Sequence, residues 1–259
     1  MARTVERLEN PWRVPLIALG GDFMTSRQLG EAAKSVGLSS GALYFRGRAG
    51  VLGEVTSASA CDVLAVFPQR LIDRTWAAST QVSAEDATGL YLQSCHEWGR
   101  AHLAEAEDAE RLADLLARVV DAADPAGAVL ARAWRRVERP DDLPALIAHL
   151  SMLLREIRVV LYFGALTLVS LPVMRAVLVD DLGGKARLLR TGWQSSEIDA
   201  IAASAERGDH ERWRDAEGAT EAAFVGMLGE SLTEADINVL GRRLLAAYEV
   251  SRAQASTSS

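Results

Sequence analysis

Cysteine, histidine, proline and aromatic residues are all scarce in this chain. Its 259 residues hold two Cys, four His and seven Pro, with 6% Phe, Trp or Tyr. Cys61 and Cys95, far apart, offer no disulfide framework and suit a reducing cytoplasm, the expected location. His96 and His102 lie six residues apart and miss the i, i+4 spacing that sets two ligands on one helix face. Cys95 beside His96 adds no zinc spacing, so no metal is expected. Also missing are a Walker phosphate loop, a Gly-x-Gly-x-x-Gly after a strand and a Gly-x-Ser-x-Gly elbow. No cofactor is expected. Strand patterns of period two are nearly absent. The longest apolar run, Val159 to Met174, has sixteen residues, short of the roughly 20 a membrane span requires. Residues 1–13 mix charges of both signs and hold no secretory apolar core.

What is abundant is Ala, Leu, Arg and Glu, which favours an all-α protein. The net charge of −7 keeps the chain soluble and argues against nonspecific affinity for nucleic acid. The apolar pattern predicts a multi-helix domain over 1–182, around a buried central helix that starts near Pro144 and is ended or kinked by Pro172. A smaller C-terminal helical subdomain is expected over 185–250, and a disordered tail over 251–259. Residues 1–15 read as an arm, since Pro11 to Pro15 cannot sit inside a helix, and Gly208 to Trp213 as an interruption between helices.

The most distinctive stretch runs from Gly37 to Trp76. Five glycines fall between positions 37 and 53, too many for an ordinary helix at a cost of up to about 1 kcal/mol each. They must mark turns or places where backbones approach closely. Among them stand Tyr44, Phe45, Arg46 and Arg48. Thr25 or Ser26 is placed to cap a helix that Gly37 ends.

Leu29 to Tyr44, with its Ala-rich helix, Gly-Leu-Ser turn and Gly-Ala-Leu-Tyr, resembles the DNA-binding helix-turn-helix of TetR-type repressors. The basic segment those repressors carry after the tyrosine is replaced here by Phe45-Arg-Gly-Arg-Ala-Gly50. A second resemblance covers residues 5 to about 245. Tyr44-Phe45-x-x-Arg48-Ala49-x-x-Leu52-Gly53-x-Val55, Phe67-Pro68, Trp76, Leu154-Arg155-Glu156 and Gly192-Trp193 occur in the order found in an actinobacterial family of helix-turn-helix proteins. That resemblance implies an all-helical fold and a C-terminal winged-helix-like remnant over 185–250. Where the family carries a His-Arg-Gly-Asp-Gly-His type run, this chain has Ile157-Arg-Val-Val-Leu-Tyr162, without either histidine.

The central helix carries His149, Arg155, Glu156, Arg158 and Tyr162 on an otherwise apolar segment. Burying an unpaired charge is costly, so these groups must face the surface, pair with one another or line a cavity. Arg158 and Tyr162 stand i, i+4 and share a side. Two functions are weighed. The first is a small-molecule-binding protein of actinobacterial specialised metabolism, extending to a cofactor-independent enzyme acting on a carbonyl-bearing or acidic organic substrate. There Tyr44, Phe45, Arg48, His149 and Arg158 bind the ligand, and Arg155, Glu156 and Tyr162 carry the chemistry. The alternative is a ligand-responsive transcriptional regulator that reads DNA through Ser39, Ser40 and Arg46 as a homodimer. The first is the expected one: a small organic partner, no membrane, and DNA only under the alternative.

Overall fold

The computed structural model describes residues 13–124 and 126–257. Among them it holds fourteen α-helices and no strand. A short helix α1 (Arg13–Leu19) leads through a 3-10 turn (Asp22–Thr25) to α2 (Arg27–Ser35) and α3 (Ser40–Gly50). Then follow α4 (Ser57–Leu64), α5 (Gln69–Ala77), α6 (Ala84–His102), α7 (Ala109–Ala122) and α8 (Val129–Trp134). The central helix is α9 (Leu143–Leu168). After it come α10 (Val173–Val179), α11 (Gly184–Arg190), α12 (Ser195–Ala203), α13 (Asp209–Gly229) and α14 (Glu234–Thr257).

The caps fall where short polar side chains precede apolar periodicity. Ser26 Oγ accepts from Leu29 N at 3.3 Å, Ser39 Oγ from Ala42 N at 3.2 Å, and Asp142 Oδ1 from Ala145 N at 3.2 Å. Each satisfies one of the N–H groups a helix start leaves unpaired. Gly37 sits at φ +71°, the left-handed turn between α2 and α3. The two helices and their turn make the helix-turn-helix seen in the sequence.

The glycine-rich segment itself is helical, and the reason is packing. α3 lies along α6 at Gly47 and Gly50. A Cβ on Gly47 would stand 2.5 Å from Tyr91 Cβ, and one on Gly50 would stand 2.7 Å from Ala84 O. Glycine costs helix propensity here but lets two backbones meet, while Gly53 (φ +87°) makes the turn beyond α3.

α9 is the hub. α6, α7, α8, α1 and α13 all pack on it, and Ile147, Leu150, Leu153, Leu154 and Ile157 join the main core. Ser170 at φ +53° ends its run, and Pro172 starts α10. No single helix among the described residues is long and apolar enough to cross a membrane. α9 and α10 together reach that test, but the chain bends by 100° between them.

Several expectations are corrected. Arg13 to Pro15 open α1 rather than an arm, because a proline in the first turn lacks only an N–H that would go unpaired anyway. Residues 1–12, the rest of that arm, lie outside the described residues. The expected interruption at 208–213 is the first turn of α13. Of the tail expected to be disordered, 251–257 continue α14, with Ser251 buried against the body, and 258–259 lie outside the described residues. The apolar clusters also divide the chain at different points from 185. Phe224 and Leu228 of α13 and Leu240 and Leu244 of α14 belong to the main core. The satellite is smaller: Val177, Leu188 and Ile198 bind α10, α11 and α12 to one another. With no strand among the described residues, 185–250 has no wing.

Candidate functional site

Arg48 and Glu156 meet in the interior, 108 positions apart in sequence. Arg48 donates from Nε to Glu156 Oε1 at 3.1 Å and from Nη2 to Oε2 at 2.8 Å. This is the forked geometry that makes an arginine–carboxylate pair strong and directional. Arg48 is 5% exposed and Glu156 3%. The third nitrogen of the fork, Nη1, donates to Tyr44 Oη at 2.7 Å, and Arg155 Nη1 adds a bond to Glu156 Oε1 at 3.0 Å. Burial alone would raise the Glu156 carboxyl, but the guanidiniums of Arg48 and Arg155 outweigh it and hold the group below its usual range. Tyr91 Oη, buried in the same neighbourhood, has no hydrogen-bond partner, and burial pushes that phenol far up.

The helix turns that expose or hide each group follow from this. Glycine at 47 and 50 draws α3 against α6, and the face of α3 carrying Phe45 and Arg48 turns to the core. Tyr44, Phe45 and Phe67 form an edge-to-face cluster with ring centres 4.8–5.8 Å apart. Phe45 is therefore a core residue beside the cluster.

Above Glu156 opens a groove of ≈ 450 Å³ between α4, α8 and α9. Val63, Leu130, Val159, Val160 and Phe163 make its walls, and Glu156 is part of its floor. Asp62 stands at its edge, exposed.

The sequence-derived residues do not all gather here. Tyr44, Arg48, Arg155 and Glu156 come together. Arg158 and Tyr162 do not, since positions 156 and 158 stand about 200° apart around a helix. They face α1 and α13, where Arg158 Nη2 donates to Glu217 Oε2 at 2.9 Å. His149 is fully buried against His96 of α6, with Nδ1 and Nε2 3.2 Å apart and the rings stacked. Burial, then the neighbouring His96, pushes His149 down to about 3, so it stays neutral. His96 was weighed only against His102 on its own helix. Its true neighbour is 53 positions away, and no local spacing reveals it.

The residues expected on a DNA-reading face separate as well. Ser39 and Ser40 are exposed, but Ser39 Oγ is occupied by its cap. Arg46, expected outside, is 5% exposed. It donates to Glu54 Oε2 at 2.6 Å and Val82 O at 3.3 Å and lies over the Trp76 ring. Glu54 in turn accepts from Ala84 N, so Arg46 ties α3 to the start of α6. Of the cations on and beside the turn, Arg27, Lys34, Arg46 and Arg48, only Arg27 and Lys34 are exposed, and Arg27 is paired with Glu31 at 3.4 Å.

The residues the sequence did not point to are Tyr91, Arg13, Asp180, Glu217 and Glu221. A spacing signal existed for one pair, since Glu217 and Glu221 stand i, i+4 on α13 and so share a face.

Fold and site define an all-helical protein in which a helix-turn-helix is built into the body and its second helix supplies a buried arginine to the central helix. The chain belongs to the Helix-turn-helix family, whose model matches residues 18–222. The match runs from the end of α1 into α13, well beyond the two helices of the turn. No curated protein and no solved structure matches the chain.

Proposed function

We propose that this protein binds a small organic molecule in the groove above Glu156 and does not read DNA directly. The observation that carries the reading is that α3 spends its arginines inside. Arg46 and Arg48 are both buried and paired, so its exposed start offers Ser39, Ser40 and Gly41 to a major groove and no guanidinium. The groove has the size range of ligand pockets and an apolar wall with one polar group at its floor. A carboxylate can accept about four hydrogen bonds, and Glu156 takes three from Arg48 and Arg155. The ligand we envisage is neutral and largely apolar, with one hydroxyl or N–H for the remaining acceptor. An acidic molecule is disfavoured there by Glu156 and Asp62.

Binding is favoured over acid–base catalysis. A general base needs a pKa near the working pH. Glu156 is held ionised by two guanidiniums, and burial keeps the phenol of Tyr162 protonated. Arg155, Glu156, Tyr44 and Arg48 are on this reading positioning and binding residues, and His149, two turns before Glu156 on α9, packs against His96 of α6. The proposed setting is the cytoplasm and actinobacterial specialised metabolism, the latter on motif order alone, with a homodimer as the assembly.

Ligand-detected NMR against a panel of neutral hydroxylated aromatic and alicyclic compounds tests the groove. Saturable binders should be found and should be lost in Thr167→Trp, which fills the exposed end of the groove without touching the core. An empty panel, or a binder indifferent to that substitution, rejects the reading.

Family membership favours a second reading, a ligand-responsive regulator in which α2 and α3 contact DNA through Arg27, Lys34 and the exposed serines. An electrophoretic mobility shift against the DNA upstream of the gene, at two salt concentrations, decides it. Salt-sensitive, sequence-selective retardation establishes the regulator and removes the first reading.

A further inference from the structure

The neighbouring face of α9 meets α1, the end of α10, α11 and α13 around a cavity of ≈ 70 Å³. That is room for a group of a few heavy atoms, given about 30 Å³ for one water in the liquid. Arg13, Arg155, Arg158 and Arg187 line it, against Asp180 and Glu217.

The two carboxylates are each shared. Asp180 pairs with Arg13 at 2.6 Å and with Arg187 at 3.2 Å. Glu217 pairs with Arg158 at 2.9 Å and with Arg13 at 3.3 Å. Arg155 has one bond to Glu156, which Arg48 already grips in both oxygens. Four guanidiniums and two carboxylates leave an excess of two positive charges among the residues that line the cavity.

Two donors on the lining arginines are also unspent. Arg155 Nε and Arg158 Nε are buried and have no hydrogen-bond partner. A buried donor left without an acceptor costs about 1–3 kcal/mol. Tyr162, from the same face of α9, lines the cavity as a protonated phenol. Glu221 lies close enough to feel Arg158 and Glu217 but does not line the cavity, and burial raises its carboxyl to about 7, so it neutralises the excess only in part. Ile17, 39% exposed, and half-buried Val159 form an apolar side of the cavity.

We propose that this cavity is a binding site for a small oxyanion, the carboxylate of an organic acid or a phosphate, held by Arg155 and Arg158 with Tyr162 as a hydroxyl donor. Guanidinium groups suit either anion, because their planar fork matches two oxygens at once. A carboxylate carried on an apolar molecule lays its body over Ile17. The site lies on the next face of α9 from the groove, with Val159 at the border of both, and does not rest on that reading.

Isothermal titration of the full chain with sodium acetate, and separately with sodium phosphate, tests it at an ionic strength held constant with chloride. At least one anion should bind saturably at one site per chain, and the one that binds identifies the source of the oxyanion. Arg187→Gln removes a charge at the half-exposed rim and should weaken binding at least tenfold. Arg158→Lys keeps the charge, loses the fork and should do the same. Thr167→Trp should leave the affinity unchanged, which separates this site from the groove. Absence of saturable binding by both anions overturns the proposal, as does wild-type affinity in folded Arg187→Gln. If Arg158→Lys does not fold, Arg187→Gln decides alone.

Discussion

At the scale of the residue, the buried Arg48–Glu156 pair governs what the interior tolerates. Removing Arg48 leaves Glu156 charged in the core with only the single bond from Arg155, and breaking such a buried pair costs about 3–5 kcal/mol. Arg48→Met should therefore lower the free energy of unfolding measured in urea by up to that much. The double variant Arg48→Met/Glu156→Met should recover part of the loss, since the only charge then left without its partner is that of the more exposed Arg155. A double variant as unstable as the single one would show that the fork contributes stability of its own. Glu221 has the opposite character. Its folded pKa, raised to about 7 by burial, lies above the ordinary carboxyl value of about 4.3. Between those values the folded state holds the proton more tightly than the unfolded chain, so stability from this group falls as pH rises from about 4 to 7. Glu221→Gln should be more stable than the wild type above pH 7 and converge with it below about pH 4. Thermal melts across that range check the sign.

Among the elements, α3 shows how glycine decides the outcome by position. Gly50→Ala must push a methyl to 2.7 Å from Ala84 O, a backbone atom that cannot swing aside, so α3 and α6 must separate. Overpacking of this kind costs about 1–3 kcal/mol. Gly89, in the exposed middle of α6, has nothing within 4 Å of the added atom. Gly89→Ala should gain up to about 1 kcal/mol from helix propensity. Chemical denaturation of both variants measures the contrast, and equal effects would mean that α3 does not press on α6 as described. The glycine spacing was legible in the sequence as turns or close approaches, and both occur: turns at Gly37 and Gly53, close approach at Gly47 and Gly50. Which glycine did which was not legible, because it depends on Tyr91 and Ala84, more than thirty positions away.

Over the whole molecule, α9 divides the charged interior into two halves. Glu156 serves the groove with α3, and Arg158 and Tyr162 serve the cavity with α1 and α13. The satellite of α11 and α12 hangs on less. Leu188 and Ile198 are its buried apolar side chains, and polar bonds tie it to the body: Arg70 to Glu197 at 2.7 Å and to Gly192 O at 2.6 Å, Trp193 Nε1 to Val66 O at 3.0 Å, and Arg187 to Asp180 at 3.2 Å. Amides of residues 184–203 should exchange with solvent at least tenfold faster than those of α9 at 147–157, since local opening there sacrifices little buried area. Hydrogen exchange followed by mass spectrometry reads this directly; equal protection would place the satellite within one cooperative unit.

The sequence by itself determined the all-helical class, the helix-turn-helix over α2 and α3, the central apolar helix and its end before Pro172. These follow from local causes: caps, periodicity, and residues that cannot continue a helix. The tertiary structure alone decided that Arg48 takes Glu156, that Arg158 and Tyr162 face away from both, and that Arg46 turns inside. A buried charge chooses its partner by position in space across more than a hundred residues, and no spacing along the chain encodes that choice.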